Sequence, residues 1–384
     1  MPYTQQDLFF YNGDGIGSED LTDYKLCGLH PIILGDILPK AGTCVNEGAK
    51  QPRYRIAQKL GFGAFSTVWL ARDLVEERYV AVKVCYGSKQ IIRSNEATIL
   101  CQIHQNKHRK SGYNNIIKIY DVFTIRGPNG FHECLVTEAV LPLDDISVRQ
   151  KCSPQQVIQQ FLKAFDFLHS EGVVHGDPNY GNFGIAIPQL QKFDERTIAD
   201  YFADPPVITV VPRDPSFPRD SVPRFILACY ADTTAGELPG AAPPTVRPPE
   251  VYMYSLSGGR IGSVWSREAD IWAIGSIAYQ IKTGCQLFLV QGDLQNQLYQ
   301  ALRLGGAPPE DWSKFWDLEK FCESTKGRRK PVLPVFNKDE AWESRRPRND
   351  PESEVFLDFI RKMVITEPER RSQIAELLRH PFLS

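Results

Sequence analysis

The spacing of apolar residues changes near residue 142, and that change constrains the fold more than any bulk property. Before it, "YRIAQKLGFG" and "STVWLARD" flank a glycine turn, "YVAVKVCY" alternates, and "NIIKIYDVFTI" and "FHECLVTEAV" are joined by the turn "RGPNG". All five runs predict strands. In "YVAVKVCY" the alternation puts Val80, Val82 and Val84 on one face and Ala81, Lys83 and Cys85 on the other. One helix, "SNEATILCQIHQ", interrupts them. After "LPLDD" the period becomes helical. "SPQQVIQQFLKAFDFLHSEG" has Ser153 as N-cap, Pro154 at the first helical position and Gly172 just past the end. Val157, Phe161, Phe165 and Leu168 recur along it at helical spacing. "SREADIWAIGSIAYQIKTG" is apolar all round and predicts a buried helix, and the tail from "VFLDFIRKM" onward is helix-rich.

The expected architecture is α+β and bilobal. An irregular arm, residues 1–50, leads into a small sheet-rich lobe, 51–142, and a larger helical lobe, 143–384. A Pro- and Asp-rich stretch, about 188–224, reads as an inserted excursion. Ligands commonly bind where such lobes meet.

Composition narrows the class of partner. Of 384 residues, 42% are hydrophobic and 23% charged, as in a soluble globular chain. A net charge of −2 gives no reason to expect nucleic acid or an anionic membrane as the main partner. The nine cysteines lack any C-x-x-C pair, which fits a reducing interior. The start, "MPYTQQDLFFYNGDG", has no signal-peptide pattern, and no run approaches the ~18 apolar residues of a membrane span. A cytoplasmic or nuclear monomer is the expectation.

Four features carry chemistry. Gly61 and Gly63 lie in a turn between strands, where backbone amides can approach phosphate oxygens; a plain hairpin turn accounts for them as well. Lys83, in an apolar strand, must reach water or an anion. Nucleotide phosphates and Glu96 on the following helix would both serve, against the alternative of a solvated strand face. In "VVHGDPNYGNFGIA", Asp177 could accept a hydroxyl proton and Asn182 could offer a neutral oxygen to Mg²⁺, or both could simply cap a turn.

Taken in order, glycine turn, strand Lys, helix Glu and His-x-Asp-x-x-x-x-Asn resemble the protein-kinase signature set. "RPPE" (Arg247–Glu250) resembles the element that closes an activation segment. "ADIWAIG" resembles the start of the large buried helix of the kinase C-lobe, and "TEPERR" places Arg371 where kinases pair an Arg with that Glu, here Glu250. For Asp270, Glu250 and Arg371 a scaffold role is expected. "GLHPIILGDIL" and "GAFSTVWL" are similar to the entrance of SR-protein kinases, Ser/Thr kinases of Arg-Ser repeats, in a divergent fungal-type form. The resemblance spans roughly residues 22–384. It implies ATP and Mg²⁺ as cofactors and an Arg/Ser-rich protein as substrate. It also implies that Leu60, Gly61, Gly63, Val68 and Ala81 cover the nucleotide, that Lys83 pairs with Glu96 and contacts phosphate, and that Glu138 and Val140 flank adenine behind a small Thr137. Asp177 would be the base, and Asn182 and Asp232 the metal ligands.

The pattern is broken in two places. No Asp-Phe-Gly is present in "FILACYADTTAG": either Cys229 stands at the metal position or Asp232 keeps the carboxylate, with Thr234 for glycine. Asp232 is favoured, because Ala-Asp follows an apolar strand, although only eighteen residues then precede Glu250. Cysteine would be a poor ligand for a hard cation. Asn179 stands where Ser/Thr kinases carry a Lys, a loss of ~10²–10³ in rate by analogy with one oxyanion donor. A Ser/Thr protein kinase is therefore the leading expectation. A pseudokinase scaffold comes second, and a small-molecule kinase, suggested by the His-Gly-Asp loop, third.

Overall fold

The computed structural model describes residues 9–11, 19, 23–45, 47–63, 65–105, 110–143, 153–202, 210–212, 242–289, 292–326, 338–348 and 350–384. The chain divides into two compact units. One holds Met1–His108, Ile117–Leu143 and Gly184–Ala235; the other holds Arg109–Ile116, Asp144–Phe183 and Gly236–Ser384.

The first unit is built on an antiparallel sheet. Its strands are β2 (Ile37–Leu38), β3 (Tyr54–Gly63), β4 (Ser66–Asp73), β5 (Arg78–Cys85), β6 (Ile119–Gly127) and β7 (Gly130–Thr137), in the order β2-β3-β4-β5-β7-β6. The alternation in β5 is realised. Val80, Val82 and Val84 are buried on one face with Tyr54, Ile56, Trp69, Phe123 and Val136. Ala81 belongs to a second cluster with Leu70 and Tyr79, toward which Leu60 and Val68 also pack. Helix α1 (Asn95–Gln105) starts where Ser94 Oγ accepts the Ala97 N–H at 3.1 Å.

Two segments that look irregular in sequence cover this sheet. The arm lays Leu38 and Cys44 into the first cluster, with Ile32 and Leu34 against it. After β8 (Val140–Pro142) pairs with β9 (Gly184–Ala186), the excursion packs onto the other face, burying Leu190 and Ile198 beside Tyr79, Ala81 and Ala139. Gln191 takes both backbone groups of Tyr79: the Tyr79 N–H donates to its Oε1 at 2.7 Å, and its Nε2 donates to the Tyr79 carbonyl at 3.0 Å. Arg55 pairs with Glu195 at the start of α3 (Glu195–Phe202), a helix absent from the sequence expectation. α2 lies between α1 and α3, at Pro154–Ser170. Arm and excursion also meet directly, with β1 (Phe9–Tyr11) antiparallel to β10 (Val210–Pro212).

The second unit contains α2, α4 (Pro249–Leu256), α5 (Arg267–Thr283), α6 (Leu294–Gly305), α7 (Leu318–Ser324), α8 (Lys338–Glu343), α9 (Ser353–Arg361) and α10 (Ile374–Leu377). α2 begins and ends where Pro154 and Gly172 predict, Gly172 taking φ +79. Its buried residues are Ile158, Leu162, Ala164, Phe165 and Phe167, whereas Val157, Phe161 and Leu168 are half-buried. The helix is packed by α5, α10 and the turn Tyr113–Asn115 together, so the covered stripe is wider than one seam and centred differently. α5 is buried along nearly its whole length, as its all-round apolar sequence requires. Among the described residues no helix is long and apolar enough to cross a membrane.

The arm is held against the sheet by two buried imidazoles. His30 and His132 lie with ring centroids 4.7 Å apart, and His132 Nδ1 donates to the Cys85 carbonyl at 2.9 Å. Burial and the neighbouring His132 and Lys40, opposed by Asp36, lower the His30 pKa to about 4, and burial lowers that of His132. A neutral buried histidine titrates lower in the folded chain than in the unfolded one. Its contribution is therefore whole above pH ~6.5 and is lost as pH falls toward 4, by about 3 kcal/mol for His30. The thermal midpoint should fall between pH 7 and pH 4.5 in the native chain, and fall less in His30→Phe.

Candidate active site

The predicted nucleotide-side residues all lie in the first unit. β3 and β4 pair through Gly61↔Val68, Phe62↔Thr67 and Gly63↔Ser66, so the two glycines are the paired end of β3 and not the turn residues the sequence suggests. Lys83 Nζ donates to Glu96 Oε2 at 2.7 Å, with the lysine side chain 26% exposed. Burial works against its charge, but Glu96, with Cys85 and Glu133, raises the pKa on balance, so Lys83 is a cation with part of its surface open. This is neither a snorkelling lysine nor a solvated strand face. Thr137 is buried at the end of β7, its hydroxyl donating to the Glu138 carbonyl at 3.1 Å. The Glu138 carboxylate accepts the Lys118 N–H at 2.9 Å and the Glu138 N–H donates to the Lys118 carbonyl at 2.9 Å, so this residue is tied to Lys118 through both its side chain and its backbone. Val140 opens β8, opposite Ala186.

The catalytic loop lies in the second unit and is suspended from one carboxylate. Asp270, fully buried on α5, accepts from His169 Nε2 at 2.9 Å, Trp265 Nε1 at 2.7 Å, the His175 N–H at 3.0 Å and the Gly176 N–H at 3.4 Å. Gly176 adopts φ +83 with open space around it. A glycine at this position therefore suits the backbone, since a side chain here would strain it. The His175 ring stacks on Phe165 at 5.6 Å, fastening the loop to α2.

That suspension delivers Asp177, whose Oδ1 accepts from Asn179 Nδ2 at 3.0 Å and whose Oδ2 accepts from Asn182 Nδ2 at 3.0 Å. Asn182 Nδ2 also donates to the Asp177 carbonyl at 2.8 Å. Both bonds use the nitrogen of the exposed Asn182 amide, and its oxygen is the atom that a hard cation would take. Burial raises the Asp177 pKa, against the hydrogen bonds from Asn179 and Asn182 and the nearby His175. The second expected metal ligand, Asp232, and its competitor Cys229 lie outside the described residues, as do Thr233 and Thr234.

Asn179 is the functional residue that sequence reasoning undervalued. It is 7% exposed, and its Oδ1 accepts the Gly181 N–H at 3.0 Å, capping the turn Tyr180–Asn182, while its nitrogen orients Asp177. It therefore positions the Asp177 carboxylate, besides standing where the resemblance implies a lysine. An Asn ahead of a short turn was a visible signal for capping. Glu250 and Arg371 form the expected scaffold pair: Nη1–Oε1 and Nη2–Oε2 are both 2.7 Å. Arg371 also donates to the carbonyls of Ile365, Glu268 and Thr366.

A lysine–glutamate pair behind a glycine hairpin, together with a suspended loop bearing Asp and Asn, defines the protein kinase class of fold. The protein kinase domain model matches residues 54–186. Over 379 residues the chain is 28% identical to a serine/threonine protein kinase of Aspergillus fumigatus, covering 92% of this chain and 87% of that protein. It is 26% identical over 421 residues to the serine/threonine-protein kinase SRPK of Physarum polycephalum, covering 97% and 93%. Protein kinase dsk1 of Schizosaccharomyces pombe is 35% identical over 182 residues, covering 44% of this chain and 31% of that protein. Residues 54–186 are thus a protein kinase domain, and along its length the chain is similar to serine/threonine protein kinases, SRPK of Physarum polycephalum among them.

Because both ends of the Asn179 amide are engaged, Asn179→Lys should lower turnover instead of restoring a missing charge. A loss of about tenfold in kcat is expected, less than the ~10²–10³ of a lost transition-state donor because Asn182 still holds Asp177. Steady-state kinetics should find KM for ATP unchanged.

Proposed function

We propose that the chain transfers the γ-phosphoryl group of ATP to serine in Arg/Ser-rich protein segments. The observation that carries the reading is the Asp177 carboxylate, held on both oxygens by Asn179 and Asn182 and kept basic by burial. In the transfer, the serine Oγ forms a bond to the γ-phosphorus, the bond to the β,γ-bridging oxygen breaks, and ADP leaves. Asp177 orients the attacking hydroxyl and receives its proton. Lys83, held by Glu96, meets phosphate oxygens with a full positive charge. Asn182 Oδ1 would hold Mg²⁺, which when bound neutralises developing phosphate charge. The substrate class is supported by relatives named for it, among them human SRSF protein kinase 3, 28% identical over 188 residues.

A second reading is a binding module with little turnover. One observation favours it: the position of the transfer-steadying lysine is filled by an asparagine whose amide is fully used.

Labelled phosphate from Mg²⁺-ATP should appear on an Arg-Ser repeat peptide, and Asp177→Asn should reduce that transfer by at least about a hundredfold. Equal transfer by the variant would sink the assignment of the base, and nucleotide binding without transfer to any protein would favour the second reading. Asp177 must be ionised to act, so activity should be lost as pH falls through its pKa. The acid limb of kcat/KM should accordingly lie above the usual carboxylate range.

A further inference from the structure

Lys59 is an ammonium in the wrong place for an ordinary lysine. Its side chain is 2% exposed, on β3 immediately before Leu60 and Gly61. A charge so buried needs a partner, and the partner comes from the N-terminal arm: Lys59 Nζ donates to Glu19 Oε1, and the Glu19 side chain is also 2% exposed. The Tyr24 hydroxyl donates to the same oxygen at 2.8 Å, fixing the carboxylate from a second point on the arm.

The same ammonium touches the glycine hairpin. It lies 5.4 Å from the ring centroid of Trp69 on β4 and 5.6 Å from that of Phe62. Phe62 is the residue between Gly61 and Gly63, so its ring is the side-chain handle on a backbone whose flanking positions supply little stiffness. Between Lys59 and Gly61 the β3–β4 register shifts, so the ammonium sits behind the irregularity that carries the strand into the turn. Leu60, next in the strand, packs toward the opposite face, with Val68 and Ala81.

We infer that Glu19, Lys59 and Phe62 form a latch through which the N-terminal arm positions the glycine hairpin for nucleotide. All three are positioning residues, and the inference rests on the reading of that hairpin as the nucleotide cover. With Glu19 neutral, the buried Lys59 loses this counter-ion, and its hold beside the Phe62 ring is loosened.

The test uses the full chain, with N-methylanthraniloyl-ATP as the probe. Glu19→Gln and Phe62→Leu should each raise its Kd about fivefold, the size of one cation–π contact. The double variant should be no weaker than the weaker single one, and KM for the peptide should not move. A folded Glu19→Gln whose Kd stays within about twofold of native, or effects that add fully, would overturn the latch. If Glu19→Gln does not fold, Tyr24→Phe with Phe62→Leu runs the same cycle. Should the native chain bind no probe, the nucleotide reading fails on its own. Hydrogen exchange at residues 60–66 then judges the latch, faster exchange in Glu19→Gln supporting it and unchanged exchange overturning it.

Discussion

The catalytic loop depends on a single buried carboxylate. Asp270 has no solvent to stabilise its charge, so its four donors are a requirement of its burial as much as an ornament of the loop. Two of those donors are backbone N–H groups, of His175 and Gly176, and they set where the chain passes immediately before Asp177. The other two, His169 at the end of α2 and Trp265 ahead of α5, connect the loop to both long helices. Removing the Asp270 carboxylate would leave donors from four directions unpaired at once. The loop is therefore held by the core of its unit, and its chemistry inherits that rigidity.

Arg371 and Glu250 apply the same logic one layer away. A fully buried guanidinium has five N–H donors to satisfy; Glu250 takes two and three backbone carbonyls take the rest. Such a pair adds little net stability over an apolar replacement, yet breaking it on one side costs about 3–5 kcal/mol. What it supplies is registry. It ties the start of α4 to the segment before α10, joining parts of the chain 121 residues apart.

Much of this was legible in the sequence, for identifiable reasons. A period of two and a period of 3.6 located β3 to β7 and α1, α2 and α5, because burial on one face or all round leaves its mark directly in composition. Lys83 and Glu96 were legible because a lysine in an apolar strand demands an anion. Three features were not. The arm and the excursion lack periodicity, since they bind through single side chains such as Gln191 on Tyr79 and His30 on His132, and irregular segments carry no repeating signal. The burial stripe of α2 was displaced because several elements pack around it. Of the two roles of Asn179, the cap on Gly181 was signalled by an Asn ahead of a short turn, whereas the bond to Asp177 exists only once the turn is folded.

The consequence for catalysis follows from the charge the loop lacks. With asparagine at position 179, no ammonium from the loop itself faces the transferring phosphate. The residue strengthens the other side of the reaction: it fixes Asp177 on one oxygen while Asn182 fixes the other, in surroundings that raise the basicity of the carboxylate. A better-oriented and more basic acceptor favours proton removal from the serine hydroxyl. It does nothing for charge accumulating on the equatorial oxygens, which on the proposed reading would fall to Lys83 and to a bound metal. On that reading, turnover in this chain should therefore depend more steeply on those two groups than in a kinase that keeps the lysine, and on the Glu96 contact that favours the charged form of Lys83.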